Sequence, residues 1–279
     1  PVSASILKPR VSSAKLKTMT ILDKIIAHKY HEVAADKVQK PIQSLEKSPF
    51  FNRPVYSLKQ ALQNDNVGII AEYKRKSPSK GLINDRFSAE EIATGYSAAG
   101  AAALSVLTDV DFFGGDKTYL SAVRLCTTLP ILRKDFIIDE YQIIEAKALG
   151  ADAILLIAAA LDQQQVLTLA KVAKSLSLEV LFEIHEASEL SLLNDYIDVV
   201  GVNNRNLKTF TVSIEQSISL LPLIPKQFAK ISESGISKAN SVQQLQRVGF
   251  DGFLIGEAFM KTADPAASCK QFIQEVLGK

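Results

Sequence analysis

From Gly68 onward the chain repeats one pattern. Short apolar runs of four to six residues alternate with longer segments whose apolar residues recur at helical spacing. The short runs read as buried strands: Ile69–Lys74, Ala103–Leu107, Ile131–Lys134, Ala153–Ile157, Glu179–Ile184, Val199–Asn203, Phe228–Glu233 and Gly252–Ile255. The longer segments predict helices near Ala89–Ala99, Tyr119–Thr127, Glu140–Leu149, Gln164–Ser175, Ala187–Asn194, Ile214–Leu221 and Lys238–Arg247, with a last one near Pro265–Leu277. Gly100, Gly150 and Gly249 each end a helix just before a strand, so "AGAAALSVL", "LGADAILLI" and "VGFDGFLIG" are one junction met three times. Glycine serves there because it accepts the left-handed conformation that ends helices.

Eight strand–helix units in about 210 residues predict an α/β fold, a closed (β/α)8 TIM barrel. An open doubly wound sheet is the alternative, but no GxGxxG turn supports it, and no strand is long or edge-like. Ahead of the barrel, Thr20–Lys40 reads as a helix with Thr20 as N-cap and Pro41 as its stop. Ser57 caps a shorter helix through Leu62, and Asn64-Asp65-Asn66 turns the chain into the first strand. These N-terminal helices, within residues 20–66, are expected to cover one end of the barrel, so that residues 19–279 form a single catalytic domain.

Composition narrows the class. The chain has 279 residues, 47% of them hydrophobic, enough for one large core. No apolar run approaches the roughly 20 residues that span a membrane. A formal charge of +2 argues against a nucleic-acid footprint. Cys126 and Cys269 are far apart and in no CxxC arrangement, which suits a reducing, cytoplasmic setting. His28, His31 and His185 form no metal-binding pattern, so no metal is expected. Residues 1–18 carry Lys8, Arg10, Lys15 and Lys17 and no acid; without them the chain is net −2. They read as a disordered leader or extension, with a transit peptide or an ordered arm as the other readings, and Met19 offers a natural start.

In a barrel of this kind the active site lies where strands end and helices begin. The polar residues at those ends are Glu72 and Lys74, Lys134, Glu183, Asn203 with Arg205, and Glu233, whereas the opposite ends hold mostly Gly, Ala, Pro or Asp. Each alone could be a solvated strand terminus; their shared position is the signal. Glu72 and Lys74 point the same way, about 7 Å apart along the strand. Lys134, Glu183, Asn203 and Glu233 share a face with Leu132, Leu181, Gly201 and Ile231 in turn, so all converge on one space. Lysines and glutamates crowded in a partly desolvated pocket are expected to have pKa values drawn toward neutrality, which suits acid–base work.

"SESGIS" and "LIGEAFM" each place a glycine between strand and helix, where barrels bind phosphate through backbone N–H groups. Ser234, Gly235 and Gly256 are the candidate contacts, with Ser77 and Arg205 adding hydrogen bonds and charge; tight turns without a ligand are the other reading. Glu257 is an unexpected neighbour, since its charge repels a phosphate. Phe113 and Phe136 sit on loops after the second and third strands and are candidates for an aromatic wall, or simply core plugs.

Taken in order, "IIAEYKRKSPSKG", "LSVLTDVDFFGG", "PILRKDFIID", "GADAILLI", "LFEIH", "GVNNRNLKTF", "ISESGI" and "FLIGEAFM" resemble the indole-3-glycerol phosphate synthase family of tryptophan biosynthesis, from about Ile21 to the C-terminus. The resemblance implies a cofactor-free ring closure of 1-(o-carboxyphenylamino)-1-deoxyribulose 5-phosphate to indole-3-glycerol phosphate, CO2 and water. It implies Lys134 as general acid and Glu183 as base in the dehydration. Lys74 would hold the anthranilate carboxylate, and either lysine would serve the dehydration. Glu72, Asn203 and Glu233 would orient groups. Ser77, Arg205, Ser234, Gly235 and Gly256 would hold the phosphate, and Phe113 and Phe136 the ring. Glu257 stands where many members have Ser. The expected partner is a small phosphorylated substrate, with the chain a monomer or weak dimer. A phosphate-binding barrel acting one step earlier would place a Cys or Asp pair where Lys and Glu stand, and a non-catalytic binding barrel would have no use for a Lys134–Glu183 pair.

Overall fold

The apolar runs pair side by side and close on themselves. In the computed structural model, which describes residues 19–64, 67–206 and 211–279, the strands are β1 (Ile69–Tyr73), β2 (Lys76–Ser77), β3 (Gly81–Leu82), β4 (Ala103–Leu107), β5 (Ile131–Lys134), β6 (Ala153–Ile157), β7 (Glu179–Ile184), β8 (Val199–Asn203), β9 (Ala229–Glu233) and β10 (Gly252–Ile255). Eight of them form a closed parallel barrel, β1 pairing with both β4 and β10; β2 and β3 form a small antiparallel hairpin. The helices are α1 (Ile21–Gln39), α2 (Ile42–Leu45), α3 (Leu58–Gln63), α4 (Ala89–Ala99), α5 (Thr118–Cys126), α6 (Glu140–Leu149), α7 (Gln163–Ser175), α8 (Glu215–Leu220), α9 (Ala239–Val248), α10 (Glu257–Met260) and α11 (Pro265–Leu277). The (β/α)8 expectation holds, and most predicted bounds fall within one residue. The hairpin lies in a stretch read as loop. Residues 1–18, Asp65 and Asn66, assigned from sequence to a leader and a turn, lie outside the described residues.

Alternation along the strands divides the core. Ile70, Leu132, Leu155, Leu181, Ile231 and Leu254 fill the barrel interior. Their neighbours Ile69, Ile154, Phe182, Val200 and Phe253 face outward against the helices. Burying a side chain of this size stabilises by about 1.5–3 kcal/mol. Gly100, Gly150 and Gly249 end α4, α6 and α9 at φ of 93°, 93° and 116°, as the repeated junction requires. Aspartates stand just before β6 and β10, at two of those junctions, and also just before β8. Asp152, Asp198 and Asp251 each accept a backbone N–H from the first or second residue of a neighbouring strand, from Ile131 (2.8 Å), Val180 (2.9 Å) and Lys230 (2.7 Å).

Two expectations need correction. The N-terminal helices cover both ends of the barrel, not one. Leu58 and Leu62 of α3 plug the bottom, where Ser57 Oγ and the Lys59 N–H donate to the Glu179 carboxylate at 2.5 and 2.8 Å. Helix α1 lies over the opposite mouth, where its Ile21, Leu22 and Ile25 face a cavity. Thr20 caps α1 in a reciprocal box with Asp23. The second correction concerns Ala187–Asn194. It is a 3-10 segment, Ala187–Leu192, not an α-helix. Glu189 turns back to accept from the N–H of His185 and of Glu186 (3.1 Å), and Asn194 accepts from the Tyr196 N–H at 3.1 Å. Such local side-chain bonds compete with helix propagation.

Candidate active site

The strand ends open into a cavity of about 550 Å³ at the C-terminal mouth of the barrel. Every candidate named from the sequence lines it: Glu72, Lys74, Ser77, Phe113, Lys134, Phe136, Glu183, Asn203, Arg205, Glu233, Ser234, Gly235 and Gly256. Among them Lys134, the last residue of β5, stands between two carboxylates. Its Nζ lies 2.8 Å from Glu183 Oε2 and 3.3 Å from Glu233 Oε2. Asn203 Nδ2 donates to Glu183 Oε1 at 3.0 Å. At the end of β1, Nζ of Lys74, the residue just after the strand, lies 2.7 Å from Glu72 Oε1, so the two side chains expected to point the same way also pair.

Glycines on the interior make room for these carboxylates. A Cβ on Gly256 would stand 2.6 Å from Glu72 Oε1 and 2.9 Å from Glu72 Cβ. Gly256 has φ −127°, so close approach, not a left-handed turn, is what excludes a side chain there.

Electrostatics separates the groups. Burial opposes the Lys134 ammonium, but Glu183, Glu233 and Glu72 outweigh it and hold its pKa above the ordinary lysine value. Burial likewise opposes the Glu183 carboxylate, yet Lys134 and His185 outweigh it and hold its pKa well below the usual range. Glu233 goes the other way. Burial, only partly offset by Lys134 and reinforced by Glu183 and Glu72, pushes it up to about 7. Of these three groups only Glu233 shows the expected drift toward neutrality. The lysine moves away from neutrality because carboxylates surround it.

The walls differ in chemistry. Phe113 and Phe136 face each other at 5.9 Å between ring centroids, and Leu155, Ile157 and Leu254 continue the apolar surface. Across from them the loop after β9 turns through two consecutive left-handed residues, Ser234 (φ 69°) and Gly235 (φ 71°). That turn is held from behind by Asn204, whose Nδ2 donates to Ser232 Oγ (2.9 Å) and to the Ser234 carbonyl (3.1 Å), while Ser217 Oγ donates to Asn204 Oδ1 at 2.8 Å. Ser77 Oγ is buried with no protein partner. The N–H of Arg205 donates to Asn203 Oδ1 at 2.9 Å, tying the two candidates together.

Sequence reasoning passed over several contributors. His185 sits behind Glu183, its Nε2 3.3 Å from Oε1; in the sequence it is weighed only as a metal ligand and as the last letter of "LFEIH". Asn204 was masked by its neighbour Asn203. Ile21, Leu22 and Ile25 of α1 read only as a packing face.

A closed parallel barrel whose mouth holds ammonium and carboxylate groups in mutual contact, beside an apolar aromatic wall, defines a TIM-barrel enzyme built for acid–base chemistry. Residues 22–272 match the family model described as indole-3-glycerol phosphate synthase. The chain is 48% identical over 256 residues to the indole-3-glycerol phosphate synthase of Bacteroides thetaiotaomicron, covering 92% of this chain and 98% of that one. It is 46% identical over 254 residues to that of Laribacter hongkongensis, covering 89% and 97%. The chain belongs to the indole-3-glycerol phosphate synthase family and is a carbon–carbon lyase of tryptophan biosynthesis. Among solved structures, 3-hexulose-6-phosphate synthase from Salmonella typhimurium superposes with a TM-score of 0.61 at 16% identity, over 76% of this chain and 99% of that one. A tryptophan synthase α-subunit from Pyrococcus furiosus superposes with a TM-score of 0.58 at 16% identity, over 76% and 98%. These two share the fold.

Proposed function

We propose that this cavity closes the indole ring of 1-(o-carboxyphenylamino)-1-deoxyribulose 5-phosphate, with Lys134 as the general acid. The single observation that carries the reading is the position of Lys134, charged, in the cavity wall and between Glu183 and Glu233. As the aromatic carbon attacks the ribulose carbonyl, a C–C bond forms and the carbonyl oxygen takes the Lys134 proton. A lysine with a raised pKa can give it up because a developing alkoxide is far more basic than an amine. Loss of that ammonium then removes the charge that held Glu183 deprotonated, so Glu183 becomes a stronger base for the later dehydration. The acid step thereby arms the base.

Lys74, paired with Glu72, holds the aryl carboxylate until it departs as CO2, and either lysine protonates the hydroxyl that leaves as water. Asn203 orients Glu183, and Glu233 buffers charge beside Lys134. Phe113 and Phe136 receive the ring. The phosphate lies against Ser77, Arg205, Ser234, Gly235 and Gly256; the left-handed backbone of Ser234 and Gly235 is the kind of turn whose N–H groups bind anions. The Glu257 backbone N–H, at the start of α10, serves the same phosphate. We read residues 19–279 as one catalytic domain. The enzyme works in the cytoplasm as a monomer or weak dimer, in keeping with the free thiols of Cys126 and Cys269. Among the described residues no helix is long and apolar enough to cross a membrane.

The test is indole fluorescence on mixing the protein with this substrate in EDTA-containing buffer, for the unmutated protein and for Lys134→Ala. A rising signal that the variant loses by about 10²–10⁴-fold, with ligand-induced thermal stabilisation retained, is the expected outcome. Stabilisation without turnover in the unmutated protein would leave a binding barrel and defeat the acid–base assignment.

A further inference from the structure

Lys29 is an unusual residue for the middle of an amphipathic helix. It lies on α1 between Ile25 and Val33, and its side chain is fully buried. Its Nζ is 2.7 Å from Glu32 Oε2, 3.0 Å from Asp109 Oδ2 and 3.0 Å from Asp135 Oδ1. Burial opposes the ammonium, but these carboxylates outweigh it and raise its pKa, so it stays charged.

The two aspartates hold the aromatic wall. Asp109 Oδ1 accepts from the N–H groups of Phe112 (2.9 Å) and Phe113 (3.2 Å). Asp135 Oδ1 accepts from the N–H of Phe136 at 2.8 Å, and its Oδ2 accepts from Thr108 Oγ1 at 2.5 Å and Arg133 Nη2 at 3.1 Å. Asp135 also directly follows Lys134. One buried ammonium therefore ties together the loops after β4 and β5, each of which carries one ring of the pair. Without that cation Arg133 would still balance Asp135, but nothing would bridge Asp135 to Asp109 against their mutual repulsion.

We propose that Lys29 is a positioning residue for the reaction. From a helix outside the barrel, it holds the Asp109 and Asp135 loops so that Phe113 and Phe136 present one surface to the substrate's aryl ring. The inference rests on the reading of those two rings as the aryl wall. Helix α1 thus acts as part of the binding site through a charge that never touches substrate.

Two probes separate the two ends of the cavity: N-methylanthranilate for the aryl end, followed by its fluorescence, and inorganic phosphate for the other end, followed by calorimetry. Lys29→Met is expected to weaken N-methylanthranilate about two- to tenfold, the range of aromatic contact energies, and to leave phosphate affinity unchanged. A purely structural role would lower both together, or neither, and either result overturns the proposal. Asp109→Asn removes one of the two tethers with a smaller change in the core, and serves where Lys29→Met does not fold; unchanged aryl affinity in that variant also overturns it. Phe113→Ala is the control. If it leaves aryl affinity unchanged, the aryl-wall reading fails and this inference with it. If it weakens aryl binding while Lys29→Met does not, only the inference fails.

Discussion

The carboxylate of Glu233 occupies the space that a side chain at position 201 would fill. A Cβ on Gly201 would stand 2.1 Å from Glu233 Oε1 and 3.2 Å from its Cδ, with Leu181 Cδ1 at 3.1 Å. The nearest atom is the end of a flexible side chain, so it can swing aside, and the place it leaves is the one beside Lys134. Gly201→Ala is thus expected to fold, at a cost of about 1–3 kcal/mol, while kcat falls on the order of 100-fold because one partner of Lys134 is displaced. Steady-state kinetics and urea unfolding on the same preparation check both halves. Unchanged kcat would show that Glu233 is not needed where it sits.

The raised pKa of Glu233 makes a stability prediction with a definite sign. Its carboxyl titrates at about 7 in the fold against 4.5 in the unfolded chain. Between those values the folded state binds the extra proton, so this contribution is fully present below pH 4.5 and is lost as pH rises through about 7. Glu183 has a lowered pKa, so its contribution is already full in this window and is lost only on acidification. Unfolding free energies at pH 5 and pH 7.5 should therefore fall by about 2 kcal/mol more for the unmutated protein than for Glu233→Gln. Parallel pH slopes in the two proteins would contradict the assignment.

Much of this was legible because strand ends and helix starts are punctuated. Gly100, Gly150 and Gly249 mark the junctions in the sequence, and alternation places Lys134, Glu183, Asn203 and Glu233 on the interior face without any structure. The hidden parts depend on residues distant in sequence. Lys29 looks like a surface lysine until Asp109 and Asp135 are brought against it. Its position in an apolar series, Ile25–Lys29–Val33, was the available signal. The aspartates before β6, β8 and β10 could be seen to recur, but their partners lie on neighbouring strands, and register is not written locally. The 3-10 turn after β7 depends on the Glu189 side chain reaching back to backbone, a choice that periodicity does not record.

Asp152 is the most heavily used of those aspartates. Its Oδ1 accepts from Arg53 Nη2 and the Tyr56 N–H, both at 2.8 Å, and its Oδ2 from Arg124 Nη1 at 2.7 Å and the Ile131 N–H at 2.8 Å. The carboxylate is fully buried, and removing it strands Arg124, which is nearly so. Asp152→Ala should cost about 3–5 kcal/mol of stability. It lies before the start of β6, at the end of the barrel opposite the mouth, so kcat should stay within about twofold wherever the variant is folded. Denaturant unfolding paired with kinetics tests the separation, and a large loss of kcat in folded protein would show that the two ends are coupled.

Ser77 gives the last prediction, in which binding and stability move in opposite directions. Its Oγ is buried and finds no partner in the protein, although it lines the same cavity as the left-handed turn at Ser234 and Gly235. A buried hydroxyl without a partner costs about 1–3 kcal/mol. In the ligand-free protein Ser77→Ala should therefore leave the melting temperature unchanged or raise it. If the hydroxyl is instead held for the substrate phosphate, the same change should raise KM about ten- to a hundredfold, the worth of one hydrogen bond to a charged acceptor, with kcat little altered. The contact lies far from the reacting carbons and is made equally before and during the chemical step, so it belongs to uniform binding. Melting curves with and without inorganic phosphate, together with KM and kcat, decide the matter. A variant that melts lower without ligand and keeps its KM would mark Ser77 as a structural residue and move the phosphate away from the β2–β3 hairpin.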